Sequence, residues 1–308
     1  MPVQLTTKQG EALLQNNETP WTIYPRPQMR RDSYVNLNGL WELTVGDVCQ
    51  SIRVPFCPES LLSGVNQHFP EGSYLVYRRN FSLPADFNRG RVLLHIGAAD
   101  QFTACFVNGS YVGEPYSGYT SVTFDITPFL CDGENTLTLS CHDDLGNQSI
   151  PYGKQVTPAK RGGMWYTPVS GIWQTVWLES VPETYIERLR IDNRGYAVTV
   201  SIEPKLSGKV TVPGLGTFPL VDGQVTIEPE NPHLWSPEDP FLYPCSVETE
   251  TDRVESYFAI RSLEIQNNRL CLNGKPYFFH GLLDQGYWPD GLFTPAAPEC
   301  YAEDILAM

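Results

Sequence analysis

The residues best suited to chemistry form a short run near the C-terminal end of the sequence, Asp284, Gln285, Tyr287 and Trp288. The carboxylate and the amide can exchange hydrogen bonds with hydroxyl groups, and the two aromatic rings can stack on apolar C–H faces. This combination predicts contacts with a hydroxyl-rich ligand such as a sugar. The alternative for Asp284 is an ordinary turn aspartate that is exposed to water.

A second candidate surface is the Gly-rich loop of residues 153–168, GKQVTPAKRGGMWYTP. It places Gln155, Arg161, Trp165 and Tyr166 among flexible glycines, which suits a loop that reaches across a cleft. Arg161 and Trp165 are therefore predicted to bind the same ligand. The alternative is that Trp165 covers the edge of a β-sandwich while Arg161 is solvated.

Other carboxylates are weaker candidates for catalysis. Glu18 follows an asparagine in the N-terminal arm, which is a poorly supported position for a catalytic group. Asp143 and Asp144 are adjacent, and they are predicted to be solvated or to cap backbone amides. Asp290 shares a loop with Asp284. No catalytic residue is therefore assigned within the chain.

The elements that must position the C-terminal run begin with a hairpin. Residues 269–272 and 275–279 flank Asn273-Gly274, a pair that tolerates the positive φ angles of a tight turn. The second of these strands would deliver the run to its C-terminal end, where barrel enzymes gather their sites. From Pro298, the residues Tyr301, Ile305 and Met308 recur at helical spacing. A strand, a polar loop and a helix predict the first β/α step of a (β/α)₈ barrel, which needs about 250 residues in all and is therefore expected to be truncated here.

For most of the chain before this hairpin, the sequence predicts short β-strands that are separated by turns. The 26 Pro and 25 Gly of the whole chain are consistent with many turns. Residues 135–141, NTLTLSC, alternate strictly between apolar and polar side chains, as a half-buried strand should. We expect a mainly β fold: a jelly-roll sandwich over residues 1–181, an immunoglobulin-like sandwich over 182–263, and the start of the barrel over 264–308.

Composition excludes several classes of partner. A formal net charge of −14 argues against nucleic acid and against anionic membranes. The first residues resemble no secretory signal and no apolar run could span a bilayer, so a cytoplasmic protein is expected. The eight cysteines form no metal-binding pattern, so we predict no metal and no cofactor. The sequence does not decide whether the chain forms a homo-oligomer. Cys141 is predicted to be a buried, reduced side chain.

Seven segments together resemble the N-terminal part of glycoside hydrolase family 2, the group of β-galactosidases, β-glucuronidases and β-mannosidases. Each is weak alone, but they follow the family's order. They are VNLNGLWEL (35–43), IRVPFCPES (52–60), VYRRNF (76–81), residues 97–127, SGIWQTVWLESVP (170–182), LWSPEDPFLY (234–243) and LCLNGKPYFFHG (270–281).

The resemblance implies a retaining, β-galactosidase-like β-glycosidase, in which a jelly-roll sugar-binding domain and an immunoglobulin-like domain precede the catalytic barrel. Such enzymes need two carboxyl groups about 5 to 5.5 Å apart. In the family both are glutamates on later barrel strands, so they are expected beyond the end of this chain, which alone should be inactive. A carbohydrate substrate and the remainder of the barrel are the implied partners.

Two departures from the family limit the transfer of substrate contacts. The second domain closes with Ala259-Ile260-Arg261 where a glycine usually precedes the arginine, and 281–285 reads GLLDQ where many β-galactosidases read GVNRH. The alternative function is a free-standing carbohydrate-binding β-sandwich without hydrolytic activity. The predicted barrel strand and helix favour the enzyme, because an independent module would leave their apolar faces exposed.

Overall fold

The computed structural model describes residues 4–144, 149, 151–156 and 162–308. The chain separates into two compact units. The first unit comprises Met1–Pro25, Ser33–Ser180 and Leu283–Met308, and the second unit comprises Arg26–Asp32 and Val181–Leu282. No helix in the described part of the chain is long and apolar enough to cross a membrane.

The first unit is built on two facing antiparallel sheets, as the predicted jelly-roll sandwich requires. The strands are β1 Val35–Asn36, β2 Gly39–Val45, β3 Val48–Val54, β4 Tyr74–Ser82, β5 Arg91–Ile96, β6 Ala99–Asp100, β7 Phe102–Val107, β8 Ser110–Gly113, β9 Val122–Asp125, β10 Glu134–His142, β11 Gly171–Ile172 and β12 Val176–Val181. A six-stranded sheet has the order β3-β2-β4-β10-β7-β8, a four-stranded sheet has the order β1-β12-β5-β9, and β6 pairs with β11.

Alternation of side chains explains how these sheets enclose a core. In β10 the residues Leu137, Leu139 and Cys141 are buried, whereas the threonines and serine between them lie on the other face. The predicted strand and the predicted burial of Cys141 are thus confirmed. The Asn108-Gly109 turn between β7 and β8 has positive φ at both residues, as a tight hairpin demands.

The second unit is the predicted immunoglobulin-like sandwich. Its strands are β13 Arg188–Arg194, β14 Ala197–Glu203, β15 Gly208–Val212, β16 Gly216–Leu220, β17 Gln224–Ile227, β18 Tyr243–Thr249 and β19 Arg253–Phe258. Its sheets have the orders β13-β14-β17 and β16-β15-β18-β19, and they enclose buried valines from both layers. Arg30 pairs with Glu255 of β19, and the short segment Arg26–Asp32 belongs to this unit.

The hairpin around Asn273-Gly274 is present, but its second strand is shorter than predicted. A small sheet contains β20 Leu263–Gln266, β21 Arg269–Leu272 and β22 Lys275–Pro276. The prediction of a strand through Phe279 was wrong, since residues 277–286 lie outside helices and strands. A parallel barrel strand is stabilised by neighbouring strands, and the described residues supply none here. Phe278, Leu282 and Leu283 are accordingly exposed.

Two helices complete the first unit. Helix α1 spans Lys8–Gln15 and begins at Thr7, whose side chain accepts a hydrogen bond from the amide of Gly10. Helix α2 spans Pro298–Ala307, as predicted from the spacing of Tyr301 and Ile305. Short 3₁₀ turns occur at Pro27–Met29, Leu61–Ser63 and Thr127–Phe129. On α2, Ile305 and Leu306 remain exposed, and Cys300 in its opening turn is the residue that is buried.

Candidate functional site

A small core within the first unit holds the C-terminal segment against the sandwich. It joins α1, the turn after β3, the residues after Asp284 and the start of α2. Trp288 is 8% exposed and its ring meets Tyr301 edge-on at a centroid distance of 4.9 Å. The buried members are Leu13, Phe56, Leu62, Trp288, Ala296 and Cys300.

Asp290 anchors the same segment to the N-terminal helix. Its carboxylate is fully buried, and Oδ2 accepts hydrogen bonds from the amide of Thr7 at 2.7 Å and from the Thr7 hydroxyl at 2.6 Å. The amide of Leu62 donates to the backbone oxygen of Asp290 at 3.1 Å. A Cβ at Gly10 would lie 2.0 Å from Oδ2, so the close approach requires glycine. Asp290 therefore fastens the loop that carries the candidate residues.

An aromatic cluster brings the two predicted surfaces together. Tyr166 of the 153–168 loop stacks on Tyr287 with a centroid distance of 4.8 Å and an interplanar angle of 27°. Tyr287 also packs against Phe293 at 4.9 Å, and Phe293 against Trp173 at 5.1 Å. Tyr119 lies 6.2 Å from Phe293. Since the members are only partly buried, some ring surface faces solvent.

Gln155 fixes the loop that carries Tyr166. It is 1% exposed, and its Nε2 donates to Asp100 Oδ2 at 2.7 Å and to the Tyr119 hydroxyl at 3.1 Å. Its Oε1 accepts from the amide of Val169 at 2.5 Å. The amide of Tyr166 donates to the backbone oxygen of Lys154, the residue before Gln155, at 2.9 Å. Gln155 is a support for the cluster, a role that its sequence context gave no means of predicting.

The predicted site residues occupy different environments. Asp284 is exposed, and its Oδ1 accepts from the amide of Gly286 at 2.8 Å, while Gln285 is half-buried beside it. Tyr287 lies in the aromatic cluster and Trp288 in the small core. Trp165 is 38% exposed next to Tyr166. Arg161 lies outside the described residues.

A cleft of about 370 Å³ in the first unit was missed by sequence reasoning. It is lined by carboxylates and apolar groups, among them Glu59, His68, Phe69, Asp143 and Ser170. Glu59 accepts hydrogen bonds from the amide of Ser170 at 3.2 Å and from its hydroxyl. Burial raises the pKa of Glu59 from 4.5 to about 7, although the Ser170 contacts oppose the rise.

Asp143 has a larger upward pKa shift than Glu59, the other buried carboxylate of the cleft. Burial, together with the nearby charges of Asp100 and Glu59, raises its pKa from 3.8 to about 8. Oδ1 of Asp143 is buried, and no other described group forms a hydrogen bond with it. The prediction of a solvated or backbone-capping role was therefore wrong for the Oδ1 atom of Asp143, which is buried near Asp100 and Glu59.

This shift predicts a pH dependence of stability. The folded state holds a proton on Asp143 that the unfolded chain releases near pH 4, so stability falls as pH rises from about 4 to about 8. We expect the melting temperature to be roughly 5 °C lower at pH 8 than at pH 5. Asp143→Asn should flatten this decline, measured by circular dichroism. Asp47→Asn, in the exposed turn between β2 and β3, is the control and should leave the slope unchanged; equal slopes for all three proteins would contradict the assignment.

Comparisons with known proteins agree with this architecture. The model of "Glycosyl hydrolases family 2, sugar binding domain" matches residues 64–182, and that of "Glycosyl hydrolases family 2" matches residues 184–261. A β-galactosidase of Thermoanaerobacter pseudethanolicus is 25% identical over 250 residues, which is 70% of this chain and 33% of that protein. A β-glucuronidase of Felis catus is 25% identical over 84% of this chain and 49% of its own length.

Among solved structures, a β-glucuronidase of Faecalibacterium prausnitzii superposes with a TM-score of 0.74 at 21% identity. The superposition covers 92% of this chain and 55% of that one. This likeness concerns the fold. The chain thus spans between a third and about half of these three relatives.

Proposed function

Because this chain belongs to glycoside hydrolase family 2, we propose that it is the N-terminal portion of a retaining β-glycosidase, and that barrel strands beyond it carry the catalytic glutamates. The observation that carries the proposal is the stacking of Tyr166 on Tyr287. It joins a loop of the sugar-binding domain to the segment that follows the hairpin, where a barrel would present its first loop.

The proposed role of these residues is to grip the sugar that the complete enzyme cleaves. Asp284 and Gln285 supply hydrogen-bonding groups at the exposed end of the segment, and Tyr287 and Trp165 supply ring faces. Arg161 is proposed to add a cation from the same loop. Trp288 contributes through packing, since its burial directs it into the small core.

The substrate is proposed to be a β-galactoside. The relatives include both β-galactosidases and β-glucuronidases, so they do not discriminate between these sugars. Uronic acids carry a carboxylate at neutral pH, which Asp284 would repel. Arg161 is the one cation proposed for this site, and Asp284 offsets its single charge, so a uronate would gain no net attraction there. An uncharged sugar fits this environment better.

The test uses the whole protein that contains this sequence, with aryl β-galactoside, β-glucuronide and β-mannoside as substrates. We expect the galactoside to have the highest kcat/KM, and Tyr287→Ala to raise its KM about 10-fold through the loss of stacking. Tyr196→Ala, a matched exposed tyrosine in the second unit, should leave KM unchanged.

Three results would overturn parts of the proposal. Faster turnover of the glucuronide would exclude the galactoside assignment. An unchanged KM in Tyr287→Ala would remove the aromatic cluster from the binding site. Turnover by the 308-residue chain alone, at a rate comparable to that of the whole protein, would show that its own carboxylates are catalytic.

A further inference from the structure

The outer face of the six-stranded sheet carries a continuous row of aromatic rings. Tyr74 of β4 lies opposite His142 of β10, which lies opposite Phe102 of β7, and Phe102 bridges to Tyr116. The ring centroids are 4.7, 6.2 and 5.5 Å apart in that order. The row therefore crosses three neighbouring strands and continues to Tyr116 without a gap.

A second row crosses the same strands four residues further along. Phe106 of β7 packs against Tyr111 of β8 with a centroid distance of 5.6 Å, and Thr138 of β10 lies in register beside Phe106. Arg78 of β4 extends this row on the far side of Thr138. Because side chains on one strand face repeat every second residue, both rows point to the same outer face.

Small side chains separate the two rows. Val76, Ser140 and Ala104 lie in cross-strand register, and each is two residues along its strand from either row. They leave a shallow trough whose walls are about 13 Å apart, given a rise of about 3.3 Å per residue. The three strands that form its floor span roughly 10 Å, since neighbouring strands lie about 4.8 Å apart.

The tyrosines in the walls of this trough are largely exposed. Tyr74 is 61% exposed, Tyr111 is 56% and Tyr116 is 67%. A contiguous exposed apolar surface of this kind commonly marks a binding site. The core of the sandwich does not need these rings, because the inner face of each strand already fills it.

We propose that this trough binds an uncharged oligosaccharide chain. Rings suit the apolar faces of sugars, while the hydroxyls of Ser140, Thr138 and the tyrosines suit their polar edges. All eleven residues fall within the 64–182 match to a sugar-binding domain. The trough shares no residue with the Tyr166–Tyr287 cluster, so the inference stands on its own observation and goes beyond the proposed function.

Electrophoresis of the native 308-residue chain through gels that contain a polysaccharide tests the proposal. The probes are β-1,4-galactan, xylan and galactomannan, with polygalacturonate as the charged comparison. We expect at least one neutral polymer to retard the chain, and Tyr74→Ala and Tyr116→Ala each to raise the dissociation constant about 10-fold. Tyr196→Ala should bind as the unaltered chain does.

Both substituted rings are largely exposed, so the variants should keep the melting temperature of the parent, which circular dichroism checks. No retardation by any neutral polymer would overturn the proposal, as would equal retardation of all the proteins. Concentration-dependent dimers that Tyr74→Ala abolishes, seen by light scattering, would assign the trough to a second copy of this chain and would also overturn it.

Discussion

Asp252→Ala is expected to destabilise the second unit by about 3–5 kcal/mol, because it would remove the carboxylate that pairs with the buried guanidinium of Arg31. The two side chains are each 4% exposed. Nε of Arg31 donates to Oδ1 of Asp252 at 3.1 Å, and Nη2 donates to Oδ2 at 2.7 Å. Asp252 also accepts from the amide of Ile186 at 2.8 Å, so its removal frees two chain segments at once.

Urea unfolding with hydrogen exchange across β18 and β19 measures this effect. Arg188→Ala, which breaks an ion pair exposed by 73% and 63%, is the control and should change stability by less than about 1 kcal/mol. The double variant Arg31→Met with Asp252→Leu should recover most of the loss, since it removes both charges. A loss for Asp252→Ala no larger than that for Arg188→Ala would show that the pair is effectively solvated.

This ion pair is also a feature that the sequence alone could not predict. The strands were predictable because alternation is local: the predicted strand of residues 135–141 lies within β10, and Asn273-Gly274 forms the expected turn. Arg31 and Asp252 lie 221 positions apart, and no local pattern distinguishes them from surface charges. Such pairs depend on the final packing of distant segments.

The candidate site likewise contains residues that the sequence could predict and residues that it could not. Residue type predicted Asp284 and Tyr287 as a chemically suitable run, and the structure places Tyr287 beside Tyr166. Residue type could not predict that Gln155 would be enclosed or that Asp290 would bind Thr7, because both outcomes depend on contacts made across more than ten positions. The trough was equally hidden, since its rows appear only once the strand register is known.

The sequence and the structure indicate different roles for Trp288. Its neighbours in the sequence predict a sugar contact, whereas its 8% exposure and its packing against Tyr301 indicate a structural role. Removing a buried tryptophan typically costs about 3–5 kcal/mol. Since the small core contains residues of both α1 and the opening turn of α2, the loss should appear there first as local unfolding.

We therefore expect Trp288→Ala to abolish hydrogen-exchange protection in α1 and α2 while the two sheets of the first unit stay protected. Trp165→Ala is the matched control, because its ring is 38% exposed, and it should change the free energy of unfolding by about 0.5 kcal/mol at most. In the whole protein, Trp288→Phe should restore protection and activity together if packing is its role. Unchanged protection in Trp288→Ala, with a raised KM that phenylalanine does not rescue, would instead establish the sugar contact that the sequence predicts.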